Sequence, residues 1–196
     1  MASVSFASAL AIAAVASALS LAQPGTARAD DIEDSLRAAL EAYQAGDIAL
    51  AKEELDFASQ LLSQLKAEGL AGFLPDPLPG WEREDGETQA MGAAMMGGGL
   101  SASAAYTQGD KRINIEMLAD NPMVTAMAGM FTNTAVMGSM GTVRRINGQK
   151  VVITNDGELQ TMVNNRILIT VEGKDEALLM DAMERIDFEA LGDFGN

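Results

Sequence analysis

The sequence predicts an α+β fold: an antiparallel β-sheet of about six strands covered by helices and preceded by an N-terminal αα-hairpin. Three observations carry this. Asn147-Gly148, Asn155-Asp156-Gly157 and Asn164-Asn165 separate four short apolar runs. Asn-Gly and Asp-Gly supply the positive φ values that tight hairpins require, so the four runs read as a meander. Lys111–Leu118 alternates, with Ile113, Ile115 and Met117 on one face and Asn114 and Glu116 on the other. Near the N-terminus, two stretches with helical apolar spacing meet at Gly46-Asp47.

In chain order, residues 1–29 have the form of a secretory signal peptide. An apolar run, Ala9–Ala22, precedes Pro24-Gly25 and the small-residue pattern Ala27-Arg28-Ala29, which predicts cleavage between Ala29 and Asp30. The run is too short to span a bilayer, which takes roughly 20 apolar residues. The leading Met1–Ala7 lacks the usual Lys or Arg. The expected location is periplasmic or secreted, with no membrane insertion after cleavage. The chain has no cysteine, so neither a thiol-linked lipid anchor nor a disulfide is available and packing must supply stability.

Asp30–Gly46 places Ile32, Leu36, Ala39, Leu40 and Tyr43 on one helical face, with Asp30 or Asp31 as N-cap. Gly46 stops this helix and Asp47 caps a second, which repeats Ala51, Leu55, Ala58, Leu62 and Leu65 and ends near Glu68-Gly69. The segment AYQAGDIALAKEELDFA resembles one tetratricopeptide-type repeat, with small residues where two helices cross. Solenoids take about three repeats to be stable, so a lone hairpin is expected to pack on the sheet or on a partner.

Residues 70–80 read as an extended linker, since Pro75, Pro77 and Pro79 fix φ and disfavour helix before them. The linker delivers Trp81, the one tryptophan, to an α+β sandwich domain spanning 81–196, after a signal peptide at 1–29 and a helical hairpin at 30–69. Glu82–Glu87 reads as an acidic turn and Met91–Gly99 as a glycine-rich loop. A strand of small residues, Leu100–Tyr106, turns at Gly109-Asp110 into Lys111–Leu118. Asn121-Pro122 then opens an uncharged helix running to about Gly138, with Met123, Met127, Met130 and Met137 on one face. The meander follows as Val143–Ile146, Gln149–Thr154, Leu159–Val163 and Ile167–Val171. The last of these is apolar on both faces, so helices are expected on both sides of the sheet. A helix over Asp175–Ile186 supplies the second cover, and the tail after Phe188 and Leu191 is expected to be loose. This order of elements, from Trp81 to Ile186, resembles the PsbP-like α/β/α sandwich. The resemblance implies a small non-catalytic binding or assembly module.

Composition narrows the chemistry. The formal net charge is −15, and removing residues 1–29 takes away one cation, Arg28, and no acid, leaving −16. Asp30–Glu87 carries −11 of this and Lys111–Lys174 carries +2. Such a chain is a poor match for nucleic acid, which is bound by clustered Lys and Arg. Without His or Cys, Ser-His-Asp and Cys-His catalysis and His- or Cys-ligated zinc are excluded. Acid–base work falls to carboxylates, Lys or Tyr, the basis of a carboxylate-based hydrolase as one alternative.

Nine of the 13 methionines lie between Met91 and Met140. Thioethers suit Cu(I), so Met91, Met95 and Met96 are metal candidates for a small-ligand or copper carrier; core packing is the simpler role for methionine. Thr154–Leu159 lacks the ligand spacing of a calcium loop and reads as a turn. Arg144 and Arg145 form a small basic spot with Lys150. With Tyr43 and Trp81 these arginines are the candidate partner-binding residues. No cofactor is expected. The leading expectation is an exported, soluble, non-catalytic interaction or assembly module of the bacterial envelope with another envelope protein as partner.

Overall fold

The computed structural model describes residues 24–86, 88–91 and 98–195 and is an α+β structure with an N-terminal helical hairpin. Helices α1 (Pro24–Gln44) and α2 (Ile48–Ala71) form the hairpin. Strands β1 (Glu82–Asp85), β2 (Gln89–Met91), β3 (Gly99–Gln108) and β4 (Lys111–Ala119) follow. After α3 (Pro122–Thr132) and α4 (Thr134–Met140) come β5 (Gly141–Ile146), β6 (Gln149–Thr154), β7 (Leu159–Val163) and β8 (Ile167–Gly173), then α5 (Glu176–Glu184) and α6 (Phe188–Gly192).

The sheet is antiparallel throughout, in the order β1-β3-β4-β8-β7-β6-β5. The β5–β8 meander has the expected strands and turns. Asn147 and Gly148 at φ 47 and 82, and Asn164 and Asn165 at φ 48 and 57, make two-residue turns with both central residues left-handed. Between β6 and β7 the loop is longer, with Gly157 at φ 86 and Thr154 N–H bonded to Glu158 O at 2.8 Å.

The sheet has more strands than expected because its edge was hidden in charged sequence. β1 and β2 both pair with β3 along one edge. Their registers, Asp85↔Ala104 and Gln89↔Ser101, differ by one residue, the count of a β-bulge. Gly86 N–H still bonds Ser103 O at 2.8 Å inside the interruption. An edge strand has no second neighbour to demand apolar alternation, and charges and a bulge there deter pairing with other chains.

One face of the sheet carries the larger core. Leu100, Ala102, Ala104 and Tyr106 of β3, Ile113, Ile115 and Met117 of β4 and Ile169 and Val171 of β8 are buried with Trp81 beneath α5 and α6. The C-terminal end of α2 joins this layer through Ala67 and Leu70, and the expected linker contributes Leu74. The hairpin is therefore built into the domain at its base. The tail is also fixed, contrary to expectation. Phe188 and Leu191 are buried, Phe194 meets Phe73 edge-on at 5.7 Å, and Asn164 Nδ2 donates to Gly192 O at 2.7 Å.

The opposite face is only half covered. Val124, Phe131 and Met137 of α3 and α4 sit over Val152 and Met162. The expected single helix is two, because Asn133 takes an extended conformation (φ −96, ψ 106) and its side chain accepts from Ala135 N–H and Val136 N–H. Val124, Ala128 and Phe131 make the packed face of α3, Met127 and Met130 are half-buried against it, and Met123 is left half exposed. Gly141 joins α4 to β5 where a Cβ would lie 1.9 Å from Ile153 O, so only glycine lets the strands close.

Candidate functional site

The hairpin departs most from ordinary burial. Its seam is built of small side chains: Ser35, Ala39 and Ala42 of α1 face Ala51 and Ala58 of α2, with Ile32 near the base. Alanine at a helix crossing lets the backbones approach closely. The larger apolar residues, expected to be buried on the same face, are pushed to the flanks. Leu36, Leu40 and Tyr43 of α1 and Ile48, Leu50, Leu55, Phe57, Leu62 and Leu65 of α2 are all exposed, Tyr43 by 65%. Elsewhere among the described residues only Met123 and Val136 are exposed large hydrophobics. The clue in the sequence was the alanine spacing, which a plain apolar periodicity does not distinguish from a leucine stripe.

α1 begins at Pro24, so Asp30 and Asp31 lie within the helix and do not cap it, and the expected cleavage point between Ala29 and Asp30 falls along it. The hairpin tip is held by Asp47, whose carboxylate accepts from Leu50 N–H at 3.0 Å.

At the base of α2, Lys66 Nζ lies 3.5 Å from Asp120, which Arg166 grips from the neighbouring turn. Partial burial pushes the Asp120 carboxyl upward. The Arg166 hydrogen bond and charge, with Lys66 behind them, outweigh that and hold it below the ordinary 3.8. A second tie joins the 70–80 segment to the sheet. Tyr106 Oη donates to Pro75 O at 2.6 Å, and Arg83 Nη1 donates to Leu74 O at 3.0 Å. Burial raises the Tyr106 hydroxyl to about 12; Arg83 opposes this, while Asp85 and Asp76 reinforce it.

The uncovered half of the second sheet face forms an open trough of about 440 Å³. Ser103 and Ala105 of β3, Asn114 and Glu116 of β4 and Thr170 and Glu172 of β8 floor it, and Glu84 and Asp85 of β1 border it. Arg112 Nε donates to Asn114 Oδ1 at 3.0 Å, and Arg112 shares the trough's lining with the exposed carboxylates of Glu84, Asp85, Glu116 and Glu172. No group of three or more acidic side chains is placed to hold a metal ion among the described residues.

The sequence-predicted site residues do not converge. Tyr43 is on the hairpin. Trp81 is buried in the larger core, so its role is packing and it offers a partner little surface. Arg144 and Arg145 are exposed on β5, the sheet edge farthest in strand order from β1, and Arg145 Nη1 donates to Gly148 O at 2.9 Å. Met95 and Met96 lie outside the described residues. Met91 ends β2, pairing with Gly99.

No helix among the described residues is long and apolar enough to cross a membrane. No protein-family model, curated protein or solved structure matches the chain.

Proposed function

We propose that this protein is an exported, non-catalytic protein-interaction module of the bacterial envelope, with the α1–α2 hairpin as its docking element. One observation carries the reading: nine large apolar side chains stand exposed on two helices, against two on the rest of the described surface. Soluble domains bury such residues unless something else covers them, and contiguous exposed apolar surface marks an interaction site. The anchoring of α2 through Ala67, Leu70 and the Lys66–Asp120 pair supports the same role, because it holds the hairpin firmly against the sheet. The N-terminal apolar run supports export. The resemblance of the element order to PsbP-like sandwiches supports binding over catalysis.

Deleting the hairpin is a poor test, since Ala67 and Leu70 belong to the core. Surface substitution avoids this. Leu36→Ser, Leu40→Ser and Tyr43→Ser together are expected to leave the far-ultraviolet dichroism and melting cooperativity unchanged. They should abolish retention of a specific envelope protein on immobilised full chain. The same retained set for both forms counts against the hairpin. N-terminal sequencing of the exported protein, expected to begin at Asp30, checks the compartment.

A further inference from the structure

We infer that one side of the hairpin, carrying Leu36, Leu40, Tyr43, Ile48, Leu55 and Leu62, docks a second copy of this chain, pairing two hairpins into a four-helix bundle. The inference rests on the reading of the hairpin as a docking element and names its partner.

The geometry comes from the helical wheel. With roughly 100° per residue, Leu36, Leu40 and Tyr43 lie about 80° to one side of the buried α1 stripe of Ile32, Ser35, Ala39 and Ala42. Ile48, Leu55 and Leu62 lie about 50° away, in the same sense, from the buried Ala51 and Ala58 of α2. Because α1 and α2 are joined by a short turn and run antiparallel, rotations in the same sense bring both rows to one side of the seam. Leu50 and Phe57 rotate to the other side.

Charge and area select a second copy as the occupant. A protein of net charge −15 repels its own kind wherever acids face acids. Near the apolar row the charges are engaged in pairs: Arg37 with both Glu33 and Asp34, and Lys52 with Asp56. Asp31 and Glu53 lie toward the side of Leu50 and Phe57, which is therefore closed to a like-charged copy. The six side chains are each exposed by 44% to 65% and offer on the order of 600 Å² per copy, near the roughly 800 Å² per partner of a standard interface. A two-fold axis across such a face is satisfied by one surface repeated, the commonest form of oligomer.

Sedimentation velocity of the full chain across a concentration series tests this. A reversible monomer–dimer equilibrium is expected. Leu40→Glu or Leu55→Glu should raise its dissociation constant by at least about tenfold, while Phe57→Glu on the far side leaves it within about twofold. Added salt should tighten the dimer by screening the net charge. A chain monomeric at all concentrations, or a dimer insensitive to Leu40→Glu and Leu55→Glu, overturns the inference. If the monomer still captures an envelope protein through Leu36, Leu40 and Tyr43, the second copy is rejected and the docking reading stands.

Discussion

Arg166 and Asp120, 46 positions apart, are joined by two bonds: Nε to Oδ1 at 2.9 Å and Nη2 to Oδ2 at 3.2 Å. A planar guanidinium on a carboxylate fixes orientation as well as distance. The pair locks the β4–α3 connection, where Asp120 takes φ 53, to the β7–β8 turn. Arg166 also donates to Phe194 O at 3.1 Å, and Asp120 lies against Lys66 of α2. One ion pair thus connects the sheet, the tail and the base of the hairpin.

Asp120→Asn keeps a residue that tolerates positive φ and removes the charge. With Asp120 about one-third exposed, the expected cost near neutral pH is about 1 kcal/mol. The carboxyl is held below 3.8 in the folded protein, so its contribution is present above that value and fades as pH falls through the lowered one. Urea midpoints from pH 7 down to 2.5 should therefore converge for parent and variant. A constant gap would show that the charge is not what stabilises the connection.

Tyr106 gives the opposite pH signature. Tyr106→Phe removes the bond to Pro75 O and should cost about 1 kcal/mol at pH 8. The folded hydroxyl titrates at about 12 against 10.0 when unfolded, so the parent loses stability as pH rises through that window. The loss reaches about 1 kcal/mol near pH 11, and the difference between parent and Tyr106→Phe should close there. A gap that widens with alkali would contradict the burial of this hydroxyl.

The alanine seam is tested by Ala58→Leu. Ala58 is 1% exposed between α1 and α2. A larger side chain must splay the helices at a cost of about 1–3 kcal/mol. Hydrogen exchange should quicken in α1 while β4 and β8 stay protected. Leu50→Ala, on the exposed flank away from the proposed interface, should change stability by no more than about 0.5 kcal/mol.

The turns were legible because their signal is local: Asn147-Gly148 adopts positive φ whatever surrounds it. The helical hairpin was legible from its period. What the sequence hid depends on neighbours. Glu82–Asp85 is a strand because β3 offers it an edge, and nothing in four mostly acidic residues announces that. Phe194 is ordered by Phe73 and Arg166, both far along the chain. The hairpin's apolar residues were visible, but whether Ala39 or Leu40 takes the seam is decided by how closely two backbones approach.

The methionines separate packing from exposure most directly. Met123 and Met137 were expected on one face of one helix; the break at Asn133 sends them to different environments. Met137 is 0% exposed among Val124, Phe131, Val152 and Met162, whereas Met123 is 51% exposed. Met137→Ala should lower stability by about 2–4 kcal/mol through the cavity it leaves, and Met123→Ala by less than about 0.5 kcal/mol. Because Trp81 belongs to the core on the other face of the sheet, its native emission should be the same in both variants. Only the urea midpoint of Met137→Ala should move. Equal midpoints for the two variants would mean that α4 does not close over β6 and β7, and the second layer of the fold would have to be redrawn.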